Sequence, residues 1–204
     1  DESSATRITL SESSASVNGS GVAVDGSTVT ISSEGTYIIS GELSSGQIVV
    51  DASDDAKVQL VLAGATVRNE NGPAIYAKNA DKCFVTLADG TQNSLSDGTD
   101  YTLEDDSDEP YATLFCRCDL TINGTGTLSV TANYRHGICS KDDLVVTGGT
   151  LNVTAVEDCL RGHDCVKIAD GTFNLVAGAD GIKSNKDDKP TKGFVSIDGG
   201  TFDI

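Results

Sequence analysis

Apolar and polar residues alternate along most of this chain, in short bursts separated by Gly-Thr turns. Four stretches show it most clearly: LTINGTGTLSV (120–130), LVVTGGTLNV (144–153), VKIADGTFNL (166–175) and VSIDGGTFDI (195–204). A period of two belongs to a strand with one buried face, so each stretch predicts two short strands around a turn. The turn glycines Gly126, Gly149, Gly171 and Gly200 are spaced by 23, 22 and 29 residues, the last interval carrying the seven-residue insertion NKDDKPT (185–191). The underlying period is therefore about 22 residues. Weaker copies stand upstream at VTISSEGTYII (29–39), VQLVLAGATV (58–67) and FVTLADGTQNSL (84–95).

Repetition at this period, with short strands in each unit, predicts a solenoid whose coils bury their strands against one another. Alternation places Leu144, Val146, Leu151, Val153, Val166, Ile168, Phe173 and Leu175 inward on two walls. Ile75, Leu114, Ile138, Leu160 and Ile182 hold matching points of their repeats and predict a third. The expected fold is all-β: a single-stranded parallel β-helix with three walls and coils of about 22 residues. Residues 1–6 read as a disordered tail and 7–204 as one domain, with a cap over about 7–40. The C-terminal edge reads as open, to be covered by further coils or a partner chain. DGTDYTLEDDSDEPY (97–111) interrupts the repeat and reads as a projecting loop of solvated charge.

Composition narrows the partners. A formal net charge of −17 argues against nucleic acid and anionic membrane surfaces. No stretch approaches the length of an apolar membrane span. An acidic surface suits cations, neutral ligands, or acidic ligands bridged through cations; plain solvated charge is the alternative. Six cysteines and no methionine suit a trimmed, extracellular or cell-surface chain.

Superposing RHGICSKDDL, EDCLRGHDCV and ADGIKSNKDD turns single residues into columns, whose members lie about 4.8 Å apart in adjacent coils. One column holds His136, Asp158 and Asp180; a second holds Cys118, Asp142, Asp164 and Lys186; a third holds Cys139, Arg161 and Lys183. Carboxylates stacked at that spacing repel unless a cation sits between them, and calcium–oxygen distances suit the gap. The metal candidates are therefore Asp158, Asp180, Asp164, Asp142, Glu157, Asn185 and Asp187, with Ca2+ as the expected ion. The competing reading is that these residues fill turn positions and bond backbone N–H groups. A zinc site at Cys159, His163 and Cys165 matches no familiar ligand spacing. Those cysteines read as disulfides or as small buried thiols, and the two histidines as surface or turn residues. Tyr76, Tyr101, Tyr111 and Tyr134 are available to stack on sugars.

The run from GTYIISGELSSGQIVVDA through GPAIYAKNADK, DLTINGTGTLSV, HGICSKDDLVVTGGTLNV and LRGHD to DGIKSN and GFVSIDGGTF resembles one family closely. It is similar to the bacterial, clostridial-type surface carbohydrate-binding β-helix proteins, over about residues 20–204. The resemblance implies a right-handed, pectate-lyase-like β-helix that binds calcium, cellulose and acidic sugars such as polygalacturonate. Cys116, Cys118, Cys139, Cys159 and Cys165 depart from the family's residues, and the loss of an acid at position 118 weakens any calcium site on that rung. Three functions follow as expectations. The first is a non-catalytic, calcium-assisted module for plant cell-wall polysaccharide, with Arg161, Lys183 and Lys141 pairing to sugar carboxylates. The second is a calcium-dependent pectate-type lyase with Arg161 or Lys183 as base. The third is a structural stalk or adhesin.

Overall fold

The computed structural model describes residues 4–103 and 107–204. Residues 1–3, half of the expected tail, and 104–106, within the expected loop, lie outside the described residues. Two antiparallel hairpins open the chain: β1 (Thr6–Ser11) with β2 (Ser14–Asn18), and β3 (Val22–Asp25) with β4 (Thr28–Ile31). Next come β5 (Gly35–Leu43), β6 (Gln47–Asp51) and the long β7 (Lys57–Asn69). From there each circuit of the chain adds three strands. The first circuit is β8 (Ile75–Asn79), β9 (Lys82–Leu87) and β10 (Gln92–Asp97). The second is β11 (Ala112–Cys116), β12 (Asp119–Gly124) and β13 (Thr127–Ala132). β14 (His136–Ser140), β15 (Asp143–Val146) and β16 (Thr150–Ala155) make the third. β17 (Leu160–Gly162), β18 (Cys165–Ile168) and β19 (Thr172–Ala177) make the fourth, and β20 (Ile182–Ser184), β21 (Phe194–Ile197) and β22 (Thr201–Asp203) the last.

The expected three-wall parallel β-helix is corrected by the sheet topology. Among the described residues the strands form two sheets, one of 14 strands and one of 8. The second and third strands of every circuit belong to a single sheet, in the order β21-β18-β15-β12-β9-β7-β10-β13-β16-β19-β22, which curls into a half-barrel. The physical cause is β7. Its residues Lys57–Leu62 pair with β9 and its residues Thr66–Asn69 pair with β10, so one strand carries the ladder around the corner without a break. Gly64 makes that bend at φ +82°, a backbone region open to glycine and strained for other residues. The amide N–H groups freed at the bend, those of Gly64 and Ala65, both donate to Asn93 Oδ1 at 2.9 Å. The smaller sheet runs β20-β17-β14-β11-β8-β6-β4-β3 and lies across the shared core.

The inward residues expected from alternation are all buried. Leu120, Leu144 and Val166 form one fully buried ladder of the half-barrel, and Leu128, Leu151 and Phe173 form another. Ile75, Leu114, Ile138 and Leu160 continue the core from the smaller sheet; Ile182, in the last circuit, is only half-buried. Of the two readings for the cysteines, the disulfide reading is corrected: all six are free, buried thiols. The described parts of the interrupting segment, 97–103 and 107–111, fold back instead of projecting. Tyr101 stacks on Tyr134 with ring centroids 4.2 Å apart, and its hydroxyl donates to Asp97 at 2.6 Å. Glu109 pairs with Arg117, and Tyr111 is buried.

Candidate functional site

The register of the smaller sheet places one outward residue from each circuit in a single column. Phe115 stands opposite Tyr76 and Cys139, Cys139 opposite Arg161, and Arg161 opposite Lys183. The order follows from period two: Leu114, Ile138, Leu160 and Ile182 face in, so the next residue of each strand faces out. The column Cys139, Arg161, Lys183 read from the sequence is thus correct.

Tyr111 lies on this face. Its ring meets Phe115 edge-on at 4.7 Å and His136 at 5.5 Å. Three cations surround the ring, with Arg135 at 5.3 Å, Lys141 at 5.8 Å and Arg161 at 5.8 Å from its centroid. Burial pushes the Tyr111 phenol up to about 12 and the Cys139 thiol beneath it likewise to about 12, so both are neutral in ordinary buffers. Glu109 holds Lys141 and Arg117 against the sheet. Burial disfavours the Lys141 charge, but the bond to Glu109, together with the charge of Glu109 and the neighbouring Tyr111, offsets this and raises its pKa.

Asp158 organises the cations from below. It is 1% exposed; its Oδ2 faces Arg161 Nη1 at 3.3 Å and its Oδ1 faces Lys183 Nζ at 3.7 Å. The Asp180 N–H donates to Asp158 Oδ1 at 3.2 Å, and the Asp158 N–H donates to His136 Nδ1 at 3.1 Å. His136 is 1% exposed, which corrects the expectation of a surface or turn histidine. Its pKa falls to about 4, first because burial opposes the charged ring and then because Arg161 sits 2.8 Å from Nε2. A neutral ring next to a guanidinium leaves Arg161 as the cation of this corner.

Five of the seven metal candidates fall into two groups. On the first rung, Asp158 and Asp180 are stacked as expected, but Arg161 and Lys183 neutralise them, and Glu157 pairs with Arg135 at 3.1 Å. Their oxygens face cations of the chain itself, an arrangement that does not fit calcium there. On the second, Asp164 is bonded by Lys192 and its N–H donates to the Asp142 carbonyl at 3.0 Å. Burial, and then the charges of Asp164 and Asp119, raise the pKa of Asp142, so carboxylates do crowd at this point. Asn185 Oδ1 meets His163 Nδ1 at 3.1 Å; Asp187 lies in the segment after β20. No group of three or more His, Cys, Asp or Glu among the described residues is arranged to hold a metal.

Sequence reasoning missed Arg117, Arg135, Glu109 and the covering role of Tyr111. The ladder names outward residues of strands, whereas these sit in turns or in the inserted segment. The available signal was the pair Tyr101 and Tyr111 within that acidic segment, which a plain charged loop does not need.

The smaller sheet of this curved all-β scaffold thus presents cations and aromatic rings in one strand register on its outer face. Residues 25–204 match the family described as carbohydrate-binding domain-containing protein, and the chain belongs to it. It is 41% identical over 188 residues to a carbohydrate-binding domain-containing protein of Acetivibrio thermocellus, covering 92% of this chain and 66% of that protein. It thus spans just under two thirds of the length of that relative. Among solved structures it is similar to the polysaccharide lyase-like protein from C. thermocellum, studied as a gadolinium derivative. There the TM-score is 0.93 at 38% identity, over 96% of this chain and 79% of that one.

Proposed function

We propose that this chain is a non-catalytic, extracellular or cell-surface module that binds carboxylate-bearing polysaccharide on the outer face of its smaller sheet. One observation carries the reading. On a chain of net charge −17, Arg135, Lys141 and Arg161 converge within 6 Å of one tyrosine ring, on a rigid strand ladder. Guanidinium and ammonium groups pair with uronate carboxylates, and Lys183 extends the row by one rung. The reading is supported by membership of a carbohydrate-binding family.

Calcium enters this proposal at the second acidic group only. Asp142 and Asp164, with Asp119 beside them, are the residues that would hold it, in exchange for Lys192. Its contribution would be charge compensation between protein and ligand.

Binding of polygalacturonate oligomers, followed by calorimetry, tests the reading. Arg161→Ala is expected to weaken binding ten- to hundredfold, from the roughly 1.5–3 kcal/mol of a charge-assisted hydrogen bond. Cellulose, being uncharged, is not expected at this face. Unchanged affinity in the variant overturns the assignment. The likeness to a polysaccharide lyase-like protein keeps a second reading in view, in which Arg161 or Lys183 removes the proton beside the uronate carboxylate. Ultraviolet absorbance of unsaturated uronides, appearing with native protein and lost in Arg161→Ala, would establish it and displace the non-catalytic reading.

A further inference from the structure

We propose that a cavity near the N-terminal end of this same face is a second saccharide site, one that takes neutral, hydroxyl-rich sugar units. The proposal rests on the chain being a carbohydrate-binding module and is independent of the cationic site around Tyr111.

The cavity has a volume of about 560 Å³, within the range of pockets that enclose small ligands. Its floor is made of outward side chains of β4 and β6, held in register as Thr28 opposite Gln47 and Thr30 opposite Val49. The turn around Asn69–Pro73 and, bonded to it through the Thr102 N–H and the Asn71 carbonyl at 2.8 Å, the folded-back segment with Thr102 and Pro110 complete the lining.

Three features select a neutral polyol. Charge is the first: among the described lining residues Asp51 is the one carboxylate and Lys78 the one ammonium, and their charges cancel, so the cavity has no cationic surplus for phosphate or carboxylate. Hydrogen-bonding capacity is the second. The hydroxyls of Ser27, Thr28, Thr30, Ser45 and Thr102 bond to no protein group among the described residues. Each can donate and accept, as sugar hydroxyls do. Preorganisation is the third. Gln47 Nε2 donates to the Pro73 carbonyl at 2.7 Å and Asn69 Nδ2 donates to the same oxygen at 2.9 Å. Those bonds set the Gln47 amide so that Oε1 is the acceptor available to a ligand.

The cavity also shares a ladder with the cationic site. Val49, Tyr76, Phe115, Cys139 and Arg161 stand in successive register, four rungs of about 4.8 Å or roughly 19 Å in all. A single glycan of several units reaches both, so a polymer mixing neutral and acidic sugars would engage the two sites together.

The test is titration of the full chain with cellotetraose and xylotetraose, followed by calorimetry and by amide chemical shifts, with sorbitol as an acyclic control. Shifts are expected in β4, β6 and residues 69–73. The double variant Thr28→Val, Thr30→Val removes two hydroxyls at nearly constant shape and is expected to bind about tenfold more weakly. Its affinity for polygalacturonate should stay as in the native chain, and Arg161→Ala should leave neutral-sugar binding intact. Should the double variant fail to fold, Ser45→Ala with Thr102→Ala probes the rim and is expected to show the same loss. The proposal is overturned by any of four results: no binding of either tetrasaccharide at millimolar concentration, equal binding of sorbitol, full affinity in the hydroxyl variants, or loss of neutral-sugar binding in Arg161→Ala. In that last case the neutral sugars would belong to the cationic face, while polygalacturonate binding would still be judged by its own experiment.

Discussion

His136 should make the stability of this protein depend on pH between about 7 and 4. The ring is 1% exposed, and burial with the neighbouring Arg161 lowers its pKa to about 4 from the ordinary 6.5. A base with a lowered folded pKa binds its proton more readily in the unfolded chain. Stability is therefore unaffected above about pH 6.5 and is lost as the pH falls toward 4. A shift of about 2.5 units at roughly 1.36 kcal/mol each sets the limit near 3 kcal/mol, of which about 2 kcal/mol is already lost at pH 5. That is a large part of a typical domain's stability. The perturbation is His136→Asn, whose Oδ1 can still accept the Asp158 N–H that Nδ1 accepts at 3.1 Å. Urea denaturation of both proteins across this range gives the curves, and their difference isolates the histidine from carboxylates that titrate lower down. Native stability should fall with pH more steeply than that of the variant, by about 2 kcal/mol between pH 7 and pH 5. Parallel curves would refute the reasoning, because the buried ring would then cost nothing to protonate.

Other outcomes follow from packing and backbone. Leu144→Ala, in a fully buried ladder between Leu120 and Val166, should cost about 2–5 kcal/mol in the same denaturation assay. Two glycines with positive φ should respond differently. Gly64→Ala meets open space and should cost about 1 kcal/mol of backbone strain. Gly41→Ala would set a Cβ 2.4 Å from the Leu10 carbonyl oxygen and should cost far more, seen as a much lower melting temperature. Thiol titration of the native chain should find almost no reactive cysteine, and all six after denaturation without reductant. Early reaction of any of them would contradict their burial.

Much of the candidate site was legible because side-chain direction in a strand is a matter of parity. Leu160 faces in, so Arg161 faces out, and the 22-residue period puts Arg161 between Cys139 and Lys183. Counting is sufficient for that step. The meaning of Asp158 was not legible in the same way. A column of stacked acids suggested a cation between rungs, and the cations present are Arg161 and Lys183, on the strands that follow, three residues on from Asp158 and Asp180. Side-chain reach, which a column alignment does not contain, made that choice.

The sequence by itself determined the strands, their period and the inward ladder, since alternation and turn glycines are local properties that any packing must respect. It also placed the arginine and lysine columns. Tertiary structure alone decided how many sheets those strands make. That depended on β7 carrying its hydrogen-bond ladder around Gly64, so that two expected walls became one curled sheet. It also decided that residues around Tyr111 fold back over the smaller sheet, where Glu109 finds Arg117 and Lys141. Both outcomes rest on pairings between distant segments, whose free energy exists only once the chain has brought them together.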